Sequence, residues 1–185
     1  MSVADGGLLE YLPDATIPFA GSRYVQRTSV HLADRATFFW WETLAPGRQA
    51  SGEVFLFDRI RIETSVRSSA GPLLLENVRL APRERPLASV ARSGKYTHTA
   101  SFVACQTGLA PSKLGELELA LNQVAAACTL PGVTIWGASA LASDGVVVRG
   151  LSATARDLPA TLARFWNVAR VFLTGEEARP PRKLK

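Results

Sequence analysis

The stretch Ala36-Thr37-Phe38-Phe39-Trp40-Trp41-Glu42-Thr43-Leu44 decides the fold class. Successive side chains on a strand point to opposite faces, so four consecutive aromatics present two rings to each side. Both faces of such a strand must be covered, which makes it a central strand of a layered β protein. The rings at 38–41 are read as core rather than as a binding platform.

Working outward, residues 23–32 form a second strand pattern, and the short runs 8–12 and 17–19 are closed by Pro13-Asp14 and by Ala20-Gly21-Ser22. Neither short run can extend far as a central strand. Downstream of Ala45-Pro46-Gly47, residues 53–66 alternate with a change of phase: Phe55 and Phe57 have one parity, Ile60, Ile62, Thr64 and Val66 the other. A bulge or turn near Asp58-Arg59 is needed to keep both sets inward. Gly71-Pro72 breaks the chain before a strand at 73–80, and residues 96–105 supply another.

Helical periodicity appears only late. Leu114, Leu117, Leu121, Val124, Ala125 and Cys128 recur at helical spacing behind Ser112 as cap, with Pro131-Gly132 as the stop. A second helix runs from Asp157 to Gly175 with Leu158, Leu162, Phe165, Trp166, Ala169, Phe172 and Leu173 on one stripe, as core or as a lid over a sheet face. Between the helices, Asp144-Gly145 joins strands at 133–141 and 146–151 as a hairpin. The fold expected is mainly β, with short strands and about two helices in the C-terminal half.

The 185 residues, 47% hydrophobic and 20% charged, suffice for one globular domain. That domain is placed at 1–178, followed by a basic flexible tail at 179–185. No apolar run reaches membrane-spanning length, and residues 1–7 carry neither a basic n-region nor an apolar h-region, so a cytoplasmic protein is expected. The net charge is +5, but Arg179, Arg182, Lys183 and Lys185 supply four of those charges and leave the body near neutral. A nucleic-acid reader should carry its cations on the folded surface among stacking aromatics, and a local cluster is visible only at Arg79, Arg83, Arg85, Arg92 and Lys95. Neither nucleic acid nor membrane is therefore expected as a partner.

Cys105 and Cys128 match no metal or disulfide pattern, and His31 and His98 lie far apart in strand contexts, so all four read as structural. Nucleotide-binding loops and nucleophile elbows are absent from the sequence. What remains is a set of charged groups beside the most apolar strands: Glu10, Glu42, Arg48 and Glu53. Carboxylates set against apolar surface must pair or shift their pKa. Three readings stay open. Glu42 or Glu53 pairs with Arg48 across a hairpin; two carboxylates form a general acid and base, as in sugar hydrolysis; or the groups line a polar conduit or a partner-binding surface. A plain β-rich binding module, using the basic tail, is a further alternative function.

Gly6-Gly7-Leu8-Leu9-Glu10-Tyr11-Leu12-Pro13, then Ile17-Pro18-Phe19-Ala20-Gly21-Ser22-Arg23, Trp41-Glu42, Gly47-Arg48 and Gly52-Glu53-Val54-Phe55 are similar in order and spacing to the urease accessory protein D family, UreD or UreH. Gly94-Lys95-Tyr96, the small-residue hairpin at 139–149 and the Trp-containing last helix continue the resemblance. It implies a non-enzymatic maturation factor that binds urease apoprotein and an F-type accessory protein, and through the latter a G-type GTPase. The implied cargo is nickel in transit, with no tightly bound cofactor and with GTP belonging to the G-type partner. The implied fold is a β-helix-like stack of strands enclosing a passage. The resemblance places Glu10, Glu42, Arg48 and Glu53 along that passage or on the partner-facing surface, with carboxylates as transient hard ligands. The family's pattern includes a further segment ahead of the Gly-Gly-Leu-Leu-Glu motif, so the resemblance also implies an N-terminally shortened member.

Overall fold

Alternation of apolar and polar residues at 23–32 and 59–68, and the double-sided aromatic run at 37–44, produce two stacked sheets. The computed structural model describes residues 1–89 and 91–179. Its elements are β1 (Ser2–Val3), β2 (Leu8–Tyr11), β3 (Arg23–Leu32), β4 (Thr37–Leu44), β5 (Arg59–Ser68), β6 (Gly71–Leu80), β7 (His98–Gln106), α1 (Pro111–Cys128), β8 (Thr134–Ala140), β9 (Gly145–Ser152) and α2 (Leu158–Thr174). One sheet has the order β1-β3-β5-β6 and the other β2-β4-β7-β9-β8. As far as β5 the chain alternates between the sheets, and β1 with β3, β3 with β5, and β2 with β4 are parallel. This is the β-helix-like part; the remaining pairs are antiparallel.

Strand β4 is central, as its rings demand. Phe38 and Trp40 enter the layer between the sheets with Val30, Leu32, Val66, Leu74, Val103 and Cys105. Phe39 faces the other way, into a core with Leu117, Leu121, Phe165 and Trp166 of the two helices. Trp41 meets Trp166 edge to face at 6.0 Å. Burying each such side chain contributes about 1.5–3 kcal/mol, so the helices secure one face of this sheet. The outer face of the four-stranded sheet has no such cover, and its residues are exposed at Arg23, Arg27, His31, Arg59, Arg61 and Arg67.

Several boundaries differ from the sequence expectation. Residues 53–58 form a loop rather than the start of a strand, with Phe55 in the left-handed region at φ 55°. The loop is turned by Gly21 N–H donating to Leu56 O and by Asp58 N–H donating to Ser22 O. The phase change is thus resolved by ending the strand, and Phe55 and Phe57 still join Leu44, Ile60, Ile62 and Leu87 in one cluster. Around 17–19 the pairing is reduced to a bridge between Thr16 and Leu44. Gly71 and Pro72 lie within β6 rather than before it, because β6 is an edge strand and Pro72 removes no needed ladder donor.

Helix α1 starts at Pro111 after an extended Ala110, without a side-chain cap, so Ser112 lies inside the helix rather than capping it. A proline at the first helical position supplies the fixed φ instead. Asp157 occupies the N-cap of α2, also without a side-chain bond, and Gly175 closes α2 at φ 75°. Asp144 sits at φ 59° in the β8–β9 turn and accepts from Gly108 and Leu109 N–H at 3.0 Å each, tying that hairpin to the start of α1. Of the tail expected at 179–185, residues 180–185 lie outside the described residues.

Candidate functional site

The sheets are closed at the Phe38 end of their interface and part at the other. There the space forms a cavity of two lobes, about 480 Å³ and about 520 Å³, which share Leu44, Leu80, Thr99 and Leu151 as walls. Inward parity on four strands delivers the polar groups of the smaller lobe: Glu42 from β4, Glu76 from β6, Ser101 from β7 and Arg149 from β9. Apolar walls at Ile62 and Val78 complete it.

Glu42 Oε1 accepts from Gln26 Nε2 at 2.7 Å, and the Gln26 carbonyl accepts from Tyr24 O–H at 2.8 Å. Glu76 accepts from the Arg149 guanidinium. Burial pushes the Glu42 carboxyl above its ordinary value; the Gln26 bond opposes this and the negative Glu76 adds to it. Thr64, opposite Glu76 in the β5–β6 register, has a buried hydroxyl without a hydrogen-bond partner, as does the Trp40 indole N–H. The interior beside this lobe is therefore short of protein partners for its polar groups. The larger lobe has an apolar floor that includes Phe55 and Leu87, under Arg79, Arg85 and Arg92.

Of the four charged residues singled out by sequence, the structure brings Glu42 to this cavity and sets the others elsewhere. Glu10 lies on the helix-covered side of its sheet, accepting from Trp166 Nε1 at 2.8 Å and Arg170 Nε at 3.0 Å. Arg48 Nε donates to Glu53 Oε2 at 3.0 Å, and Ala20 N–H donates to the same oxygen at 3.1 Å. The Arg48 guanidinium also stacks 4.5 Å from the centre of the Phe19 ring. Its hydrogen bond holds the Glu53 carboxyl below the ordinary range, with burial opposing. Arg48 and Glu53 thus brace the loops at 17–21 and 47–56, which carry two of the sequence segments singled out above. Glu76 and Arg149 were not picked out by sequence, yet each is a charge at an inward position flanked by apolar inward neighbours, Leu74 and Val78 for one and Val147 and Leu151 for the other, and that signal could have found them.

Burial pushes the Cys105 thiol up to about 12, with the Asp144 charge adding to it, and lowers the pKa of His98. Among the described residues no three His, Cys, Asp or Glu side chains converge as metal ligands. The lobe thus holds two carboxylates of unequal character, Glu42 with its pKa raised by burial and Glu76 already paired with Arg149.

The family model described as "UreD urease accessory protein" matches residues 1–185. This chain belongs to the UreD family. It is 41% identical over 183 residues to the urease accessory protein UreD of Herpetosiphon aurantiacus, covering 99% of this chain and 64% of the relative. It is 35% identical over 185 residues to UreD of Haloarcula marismortui, covering 99% and 59%. A UreD of Pseudomonas fluorescens is 32% identical over 184 residues, covering 98% and 61%. The UreD-family chain thus spans about three fifths of the length of these curated relatives. Among its described residues no helix is long and apolar enough to cross a membrane.

Proposed function

We propose that this chain is a cytoplasmic, non-enzymatic urease maturation factor: a scaffold that engages urease apoprotein and an F-type accessory protein, and through the latter a G-type GTPase. Its cargo is nickel in transit, it holds no cofactor tightly, and GTP belongs to the GTPase. The observation that carries the reading is the Glu42–Glu76–Arg149 lobe between the sheets, in a chain of an accessory family.

A divalent cation entering the lobe meets oxygen donors that suit it poorly enough to let it leave. It must compete with the Gln26 amide for the Glu42 carboxylate, and it must draw Glu76 away from Arg149. Incomplete, competed ligation of this kind favours transfer over storage. A two-carboxylate hydrolase is supported less, because Glu76 is committed to Arg149 rather than free to activate water.

The test is co-expression with urease and its other accessory proteins, comparing Glu42→Gln, Glu76→Gln and the double variant with the unaltered chain. Lower nickel content and lower activity of the purified urease are expected, greatest in the double variant. Full activation by the double variant would remove the cavity from the pathway. Glu10→Gln and Glu53→Gln, which lie outside this lobe, should leave nickel content close to that of the unaltered chain.

A further inference from the structure

The odd-numbered positions of β3 and β5 project from the four-stranded sheet on the side away from the cavity, and they are rich in arginine. Arg23 lies beside Arg59 in the parallel register, Arg27 beside Glu63 and His31 beside Arg67, while Arg61 faces Arg79 of β6. Three carboxylates serve six guanidiniums. Asp58 lies 3.5 Å from Arg23 and 3.4 Å from Arg83. Glu63 lies 2.7 Å from Arg27 and 2.5 Å from Arg61. Glu84 lies 3.7 Å from Arg59 and 3.3 Å from Arg79, and Glu84 and Arg79 stand at the margin of the face, where they also line the larger lobe.

Each carboxylate is therefore shared by two cations, and these six arginine side chains are 46–79% exposed. Arg67 adds a seventh, with no ion pair among the described residues. Seven arginines less three carboxylates leave this face at +4, against a body whose net charge is only +1 once the four tail cations are set aside. The positive charge of the fold is concentrated here. Planar guanidiniums with spare N–H donors take carboxylates two bonds at a time, and a rigid sheet holds them at fixed spacing.

We infer that this arginine face docks an acidic protein surface, one whose carboxylates complete the half-satisfied guanidinium pairs. The chemistry favours protein over nucleic acid: the side chains interleaved with the arginines are mostly aliphatic or small, at Val25, Ser29, Ser65 and Leu75, and the imidazole of His31 is the one ring among them, with no Phe, Tyr or Trp to extend a stacking platform. Exposed Val25 and Leu75 supply apolar contact between the charges, the composition of an arginine-anchored protein interface. The inference deepens the accessory-complex reading, on which it rests for the partner's identity, by naming the face and the chemistry of contact.

The experiment compares the unaltered chain with Arg27→Glu/Arg61→Glu/Arg67→Glu and with the gentler Arg→Gln triple, each co-expressed with urease and the other accessory proteins. Melting temperature confirms that the variants fold. Binding that weakens as salt rises above about 150 mM, and that falls roughly tenfold or more in the glutamate triple and less in the glutamine triple, supports the inference. Equal assembly by all three overturns it and leaves the proposed function standing. If even the unaltered chain assembles with nothing, the proposed function fails, and poly-L-glutamate becomes the probe for the face. Salt-sensitive capture of that polymer, lost in the glutamate triple but kept when Lys183 and Lys185 are changed to Gln, supports the face; capture unaffected by the triple, or no capture, overturns it. Tight binding of a short DNA duplex that the glutamate triple abolishes also overturns it, by making the face a nucleic-acid surface.

Discussion

The two ends of the layer between the sheets are built from the same strands and have opposite characters. In the β4–β7 register Phe38 faces Cys105 and Trp40 faces Val103, all at 0–1% exposure; one inward step further, Glu42 faces Ser101 beside open space. The backbone alternation is unbroken across that step, so the change lies in side-chain chemistry alone. Closing the sheets around Glu42 would strip a carboxylate of water at a cost of several kcal/mol, whereas closing them around Phe38 releases water from apolar surface. One pair of strands thus carries both the clasp of the sandwich and its cavity.

The largest break in that comparison comes at the dry end. Phe38→Ala should cost about 3–5 kcal/mol in a urea or guanidinium titration, since its site cannot collapse fully around the void. Ser101→Leu, placed at the wet end, should change stability by about 1 kcal/mol or less, because the added carbons enter existing space rather than overpack. It should nevertheless lower urease activation when co-expressed, by narrowing the lobe beside Glu42. A loss of stability comparable to that of Phe38→Ala would show that the wet end is packed as tightly as the dry one.

A smaller effect separates the carboxylates. The folded pKa of Glu42 is raised above its ordinary 4.5, so its contribution to stability is fully present below that value and is lost as pH rises through the folded pKa. Glu53 and Glu63 have folded pKa values lowered by arginines, so their contributions are present above the ordinary range and are lost as pH falls through the folded values. Glu42→Gln should therefore melt above the unaltered chain at pH 7, with the gap closing as pH approaches about 4.5. Glu53→Gln should melt below it at pH 7, with that deficit shrinking in acid. The smallest signal concerns Cys105: buried, with its pKa at about 12, it should resist thiol reagents at pH 8 until the protein unfolds.

What could be read in the sequence was whatever side-chain parity and helical spacing express. The double-sided rings at 38–41, the hairpin at Asp144-Gly145 and both late helices stand where those patterns put them. The boundary at 53–58 escaped, because the bonds from Ala20 N–H to Glu53, from Gly21 N–H to Leu56 O and from Asp58 N–H to Ser22 O form only once distant loops meet. Of the charged candidates, only Glu42 reaches the cavity among the described residues, for sequence neighbourhood to an apolar strand does not say which face of which sheet a residue serves. Glu76 and Arg149 follow from parity but not from motif. The arginine face was hidden for a related reason: its members come from three strands and the turn after β6, and their adjacency follows from strand register and from that turn.

The alternating path of β1 to β5 also governs how the chain can be made. Arg27 and Glu63 stand side by side although thirty-six positions separate them, and a parallel pair cannot be closed by a tight turn. Neither sheet can be completed as its strands leave the ribosome, since each must wait for a later segment that is first routed through the opposite sheet. Pairings so distant in sequence slow folding, and until the later strand arrives the edge of the earlier one stays open. The topology that shapes the cavity thereby also sets the order in which its walls can form.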